Sequence, residues 1–475
     1  MPHRSQSPLA NSDSAASTDA RPRRRFLQTA GVAATAGLAG CALWEPTDDD
    51  ESATNGGDPD VADDVSSYAT HPDDDVTMFR RGLRRLGYFP DETVPDSVSV
   101  NWSFPINNVG HTAAKSSPLP TPDGETIVIA GDTGFVHGVQ PSGEPRWLTE
   151  TGATDLGFHG SPAIVDDTAY IGGYDGDLYA IDVETGEIVW RTRAHELEGT
   201  LAIGSSPAYY DGTLYVIAEY GSPSSGALWT FDAATGEPTW HDDRIWGQPH
   251  PSPTVDLETG RICAGSNDGV VYCWEFPSLE FAWEYQTGGE DGPDGEAKAD
   301  GEFNLGAEIK GTIAAHDGYG YVGSWDERFH CLDLEDGTEE WTFEFENRSM
   351  ANPALDPEED VVYTGSNDDH VYAIDCETGE ELWSTDVNGS IIGAVTATAG
   401  TILVGSYDSH LYALDKETGE RRWRVQNRGH VTSAPVPHDG RIYYAERGVF
   451  TNYWDDDEET ILEEPGHAYC LVPEE

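Results

Sequence analysis

Tyr179-Ala180-Ile181-Asp182, then Thr185-Gly186-Glu187, then Trp190: this stretch decides the fold because the chain repeats it. It returns as Tyr372-Ala373-Ile374-Asp375, Thr378-Gly379-Glu380 and Trp383, and again as Tyr412-Ala413-Leu414-Asp415 leading to Trp423. Looser copies end at Trp147, Trp240, Trp283 and Trp341, so the period runs from 40 to 58 residues. Each period has room for four short strands. The first carries Ser-Pro or an equivalent, as in Ser161-Pro162, Ser206-Pro207 and Ser252-Pro253. The second carries an apolar-Gly-Ser pattern such as Val404-Gly405-Ser406, and Asp-Gly and Thr-Gly turns join the rest. Four-stranded units at this period predict the blades of a β-propeller.

Inner strands can be placed near Pro118, Pro162, Pro207, Pro253, Thr312, Pro353, Ala394 and Pro435. After the last of them, Ile442-Tyr443-Tyr444 and Ala468-Tyr469-Cys470-Leu471 supply two more strands, and no outer strand follows. Val98-Ser99-Val100-Asn101-Trp102-Ser103-Phe104, with its own tryptophan, fits the missing piece. The expectation is an all-β, eight-bladed β-propeller of four-stranded antiparallel blades over residues 97–475, closed by an N-terminal outer strand. Such closure leaves no open sheet edge. The tryptophans then dock neighbouring blades through their large apolar rings.

Residues 1–41 read as a targeting segment. Arg23-Arg24-Arg25-Phe26-Leu27 fits a twin-arginine signal, with Pro22 where Ser or Thr is usual. The apolar stretch Ala30 to Gly40 is too short to span a bilayer and ends in Leu38-Ala39-Gly40-Cys41, which resembles a lipobox. Cys41 is therefore the expected lipidation site, and the protein is expected on the extracytoplasmic side of the cell membrane. Residues 42–75, with Asp48-Asp49-Asp50-Glu51 and Asp73-Asp74-Asp75, have the composition of an acidic disordered tether. Residues 76–96 are expected to form a short helical lead-in, amphipathic from Met78 to Tyr88.

The chain carries 87 acidic residues against 26 basic ones, a net charge of −61. Acid spread over every blade is a hydration device for high salt, where screening suppresses self-repulsion. Nucleic acid is excluded as a partner, because phosphate binding requires a basic stripe. The six cysteines give no disulfide framework. Cys273, Cys331 and Cys470 stand where other repeats place a small Ala. Cys263 could face Cys273 across the Asn267-Asp268-Gly269 turn, but the repeat accounts for Cys273 without a bridge, and the pair is expected to be reduced.

The repeat Gly-x-x-Asp-Gly-x-Leu-Tyr-Ala-Ile-Asp-x-x-Thr-Gly-x-x-x-Trp resembles the pyrroloquinoline-quinone (PQQ) repeat family over about residues 97–475. The resemblance implies one of two activities. Quinoprotein dehydrogenases of this family bind PQQ and a calcium ion over the channel. BamB-like lipoproteins share the propeller, carry no cofactor and act as scaffolds in outer-membrane protein assembly. This sequence has no adjacent Cys-Cys pair, which the dehydrogenases often place over the quinone, and their calcium-binding Glu and Asn and catalytic Asp cannot be matched residue by residue. The lipobox favours the scaffold branch. The expected partners are envelope or secreted proteins, with the membrane reached through the lipid anchor and the protein monomeric.

Strand order places function on one face. Turns such as Asp211-Gly212, Asp317-Gly318, Thr185-Gly186 and Thr378-Gly379 make the opposite face uniformly tight. The long insertions, 191–202, 219–226, 287–302 and 448–466, all fall on the other, where binding normally resides. Inner strands start from that face and line the channel mouth. Aligned on Ser-Pro, Lys115, His159, His250, Lys310 and Met350 share one position, and Gln248, Glu308, Arg348 and His430 lie two residues earlier, on the same side by alternation. The chain has only four lysines, so two at one ring position are notable. A mouth of Lys115, His159, His250, Glu308, Lys310, Arg348 and His430 suits an anionic ligand, PQQ among them; alternatively these groups line a watery channel and neutralise one another. No metal site is expected, since the histidines sit on different blades without a short ligand spacing. No nucleophile elbow or phosphate loop occurs.

Overall fold

The computed structural model describes residues 76–109, 116–221, 224–288, 307–451 and 461–474, all within one compact unit. Eight antiparallel sheets follow one another along the chain as an eight-bladed propeller. Blades 1 to 7 run over residues 119–150, 163–192, 208–246, 254–286, 314–344, 354–386 and 395–426. Blade 8 takes three strands from residues 436–473 and its outer strand from Val98–Asn107, which pairs with Gly466–Pro473 from Val98↔Pro473 to Asn107↔Gly466. The ring is therefore closed by joining the two ends of the sequence, as the orphan strand around Trp102 predicts.

The repeated residues hold blade to blade. Nε1 of Trp147, Trp190, Trp283, Trp341 and Trp383 donates to the carbonyls of Val183, Ala233, Leu334, Cys376 and Lys416 in the following blade, at 2.7–3.0 Å. Trp102 closes the circle by donating to Pro141 of blade 1. Each ring lies over a glycine turn of the next blade, Thr-Gly for Trp147, Trp190, Trp341 and Trp383, Asp336-Gly337 for Trp283 and Ser142-Gly143 for Trp102. A Cβ on Gly186 would stand 2.8 Å from the Trp147 ring, and one on Gly379 2.7 Å from Trp341, with φ of +75° and +71°. Glycine is required there both for the backbone and for the indole. The Asp and Thr of the repeat fix the turn: Asp375 Oδ1 accepts from the backbone N–H and the hydroxyl of Thr378, both at 2.8 Å.

The Ser of Ser-Pro has a matching role at the axis. The N–H groups of Ser117, Ser161 and Ser206 each donate to the hydroxyl of the next blade's serine (Ser161, Ser206, Ser252) at 2.9 Å. The belt continues from Ser252 to Thr312 and from Thr312 to Asn352, and Ala434 of blade 8 donates to Ser117. These bonds satisfy buried amides at strand ends that no sheet ladder reaches.

Two expectations are corrected. Residues 76–96 hold no α-helix. Val76–Thr77 adds to the inner strand of blade 2, Phe79–Arg81 is one 3-10 turn, and Tyr88–Phe89 adds in parallel to the inner strand of blade 7. Arg80, Arg81 and Arg85 have φ near +60°, which interrupts any helix; the channel, not propensity, sets this conformation. Secondly, Cys263 and Cys273 form a disulfide. They stand directly opposite in the second and third strands of blade 4, with Cα atoms 4.2 Å apart. The partner position holds Tyr363 in blade 6 and Leu403 in blade 7, so the small-residue argument explains Cys273 and leaves Cys263 unexplained. Cys331, Cys376 and Cys470 are buried thiols.

Candidate functional site

The channel mouth holds a cavity of about 740 Å3. Of the residues predicted to surround it, His159, His250, Lys310 and Arg348 line it, together with Gln248 and Met350. Two others stand behind the wall. Glu308 offers its carbonyl to the Trp325 N–H at 3.0 Å, and His430 stacks on Tyr407, a lining residue, with centroids 4.4 Å apart and the rings within 1° of parallel. Lys115 and Cys41 lie outside the described residues, as do most of the 287–302 insertion and Tyr453-Trp454.

The structure adds a second ring of residues that the Ser-Pro alignment misses. Each is the residue after Gly-Ser, or its equivalent, at the end of a second strand: Tyr174, Asn267, Trp325, Asn367 and Tyr407. The signal was in the repeat, one residue beyond the pattern that identifies the strand. These side chains interleave with the first ring. Lys310 Nζ lies 4.6 Å and Arg348 Cζ 4.4 Å from the centroid of Trp325, so one indole holds two cations by their attraction to its π-face. Lys310 also donates to Asn267 Oδ1 at 2.9 Å. Burial lowers the Lys310 pKa, opposed by the nearby carboxylates of Glu308 and Glu219.

The other wall is acidic and aromatic. Tyr174 Oη and His250 Nδ1 each approach Glu219 Oε1 to 3.4 Å, and His159 packs on Tyr174 with centroids 3.7 Å apart. Burial, with Glu219 alongside, raises the Tyr174 hydroxyl well above its ordinary range, so it stays a neutral donor. Burial and the Arg447 cation together lower the pKa of His430. The cavity thus has a cationic half on blades 5 and 6 and an opposite half that holds the carboxylates of Glu219 and Asp155. It can hold an anion or a flat ring. Among the described residues, no three His, Cys, Asp or Glu side chains are grouped to bind a metal.

A family model described as outer membrane protein assembly factor BamB matches residues 95–342, 301–386 and 326–453, well over half of the chain. The chain belongs to this family. Its relatives fall on both branches of the PQQ-repeat propellers. Quinohemoprotein alcohol dehydrogenase of Comamonas testosteroni is 27% identical over 203 residues, 40% of this chain and 28% of that protein. Outer membrane protein assembly factor BamB of Yersinia pestis is 30% identical over 188 residues, 35% of this chain and 44% of that protein. The matches therefore span less than half the length of these relatives. In structure, the Comamonas dehydrogenase superposes with a TM-score of 0.65 at 15% identity, over 87% of this chain and 83% of that one. BamB of Moraxella catarrhalis does so with 0.58 at 19%, over 79% and 100%. At such identities the superpositions establish a shared fold, and the site must be argued from its own residues.

Proposed function

We propose that the protein is exported by the twin-arginine route, anchored through Cys41 on the extracytoplasmic side of the membrane, and used as a non-catalytic interaction scaffold for envelope or secreted proteins. The observation that carries this reading is the inequality of the two faces. One is made of tight turns; the other carries the long connections, on which Leu201, Ile461 and Leu462 are exposed, and the end of the outer strand Pro238–Trp246, where Trp246 is exposed. Elaborated loops that carry exposed apolar side chains suit a partner surface. The Cys263–Cys273 bridge supports an oxidising compartment, and the net charge of −61 supports a high-salt exterior. A photoreactive side chain at Trp246 is expected to give discrete protein adducts in intact cells, and one at Leu257, on the tight-turn face, to give none; the reverse pattern overturns the reading. Cys41→Ser should move the protein out of the membrane fraction.

A quinoprotein reading is favoured by one observation, the Lys310–Trp325–Arg348 cluster. Two cations beside an indole suit the carboxylates and the flat rings of PQQ. The calcium ion that accompanies PQQ in the dehydrogenase branch is not provided for: of the lining carboxylates, Glu219 is engaged by His250 and Tyr174, which leaves Asp155. No reaction step is derived through the cofactor. Adding PQQ and calcium to the protein in high salt, with absorbance for binding and dye reduction for turnover, separates the two readings. Tight binding with turnover replaces the scaffold reading. Binding lost on joint replacement of Lys115, Lys310 and Arg348 by Met places the ligand at the mouth.

A further inference from the structure

Beneath the mouth cavity, the channel is filled by the chain itself. Residues 76–89 enter from the tight-turn side, cross the axis and leave on the same side. Val76–Thr77 runs antiparallel to Ile164–Val165, and Tyr88–Phe89 runs parallel to Ala397–Thr398, which heads toward that face. Between these anchors the segment offers its carbonyls to successive blades. Val255, Ala315, Leu355 and Ala397 N–H donate to Leu83, Arg84, Leu86 and Gly87 respectively, at 2.8–2.9 Å. One inner-strand amide from each of blades 4, 5, 6 and 7 is thereby satisfied.

Two arginines fix the segment at the axis. Arg85 donates to the carbonyls of Phe79, Pro253, Pro207 and Ser206, at 2.9, 3.0, 3.1 and 3.3 Å. Arg80 donates to Val395 at 2.6 Å and to Pro353. Both side chains are fully enclosed, and among the described residues neither has a carboxylate within ion-pair distance. Burial alone accounts for most of the drop of each guanidinium to about 9. An enclosed guanidinium held only by carbonyl dipoles is recognition by hydrogen bonding, the way a binding site reads an arginine. No sheet depends on it for its strand count, since blades 2 and 7 each have four strands without the added one.

We propose that the tight-turn end of the channel is a peptide-binding site for a turned segment bearing two arginines five residues apart. In the folded protein, residues 76–89 occupy it in cis as a separable plug. Phe79 lines the mouth cavity, so the plug is also the cavity floor, and its departure opens the channel from face to face. A partner with the same arginine spacing would compete for this site.

The test uses the full mature chain with one protease-recognition sequence inserted between the exposed Asp96 and Ser97, cleaved after folding so that every residue above remains present. A labelled synthetic peptide of residues 76–92 is expected to exchange into the cleaved protein while near-ultraviolet circular dichroism stays unchanged. The same peptide with Arg80→Gln and Arg85→Gln should compete roughly 100-fold less well or worse, since charged hydrogen bonds to carbonyls that no water can replace are lost. In the uncut chain, the amides of Val255, Ala315, Leu355 and Ala397 should exchange hydrogen together, below the threshold of global unfolding. Exchange of peptide or amides only with global unfolding, or equal competition by the two peptides, overturns the proposal.

Discussion

The rim and the axis of this propeller are built from opposite kinds of repetition. At the rim, one device recurs: a tryptophan donates to the next blade's carbonyl and lies on that blade's glycine turn. At the axis, equivalent positions hold different residues, so that Tyr174, Asn267, Trp325, Asn367 and Tyr407 occupy one ring and His159, His250, Lys310 and Met350 another. Identical contacts close a ring, because every interface must turn through the same angle. Different side chains at equivalent points make a site, because a ligand or partner is not eightfold symmetric.

The contrast can be broken most severely at the seam. Removing residues through Asn107 strips blade 8 of its outer strand and of Trp102, and cooperative unfolding should be lost in a calorimetric or denaturant melt; an unchanged melt would refute closure by this strand. Next in size, Trp147→Ala should cost about 3–5 kcal/mol of unfolding free energy, the usual loss for a large buried ring, because it removes both the buried ring and the bond to Val183. The corresponding change at the mouth face, Trp246→Ala, should cost less than about 0.5 kcal/mol, since that indole is 53% exposed. Comparable costs at the two sites would dissolve the distinction.

An intermediate effect lies between rim and axis in blade 8. Glu446 is enclosed, with Gly429 N–H and Tyr469 Oη donating to it at 2.8 and 2.9 Å. Burial outweighs these bonds and raises its pKa to about 7. A carboxyl raised in the folded state holds its proton more tightly there than when unfolded. Its contribution is therefore fully present below the ordinary carboxyl pKa and is lost as pH rises through about 7. Between those limits the wild type should lose on the order of 3 kcal/mol from this group, and Glu446→Gln should flatten that part of the curve in denaturant melts from pH 4.5 to 8. Smaller than the Glu446 effect is Thr378→Val, which removes the hydroxyl bond to Asp375 from one turn and should cost roughly 1 kcal/mol, measurable as a shift of the denaturant midpoint at constant slope.

The legible parts of this protein were those that repeat. Strand count, blade order, the orphan strand at Trp102 and the docking tryptophans follow from period and turn chemistry, since local propensity and tertiary packing agree there. Four predicted mouth residues, His159, His250, Lys310 and Arg348, converge on one cavity because each stands on the connection that enters its blade's inner strand, at the mouth end of the channel. Trp325 escaped notice because it lies on a turn beyond the strand pattern, and its meaning comes from Lys310 and Arg348, one on its own blade and one on the next.

By itself, then, the sequence determined a closed ring of eight blades with one elaborated face, because each blade's turns, core and docking ring are encoded within its own period. Only the tertiary structure decided what fills the axis. The Cys263–Cys273 bridge depends on cross-strand register. The segment Phe79-Arg80-Arg81-Gly82-Leu83-Arg84-Arg85 looks amphipathic and helical in isolation, yet its donors and carbonyls are claimed by inner strands of several blades far away in sequence. Local pattern cannot specify a conformation whose partners exist only once the ring has formed.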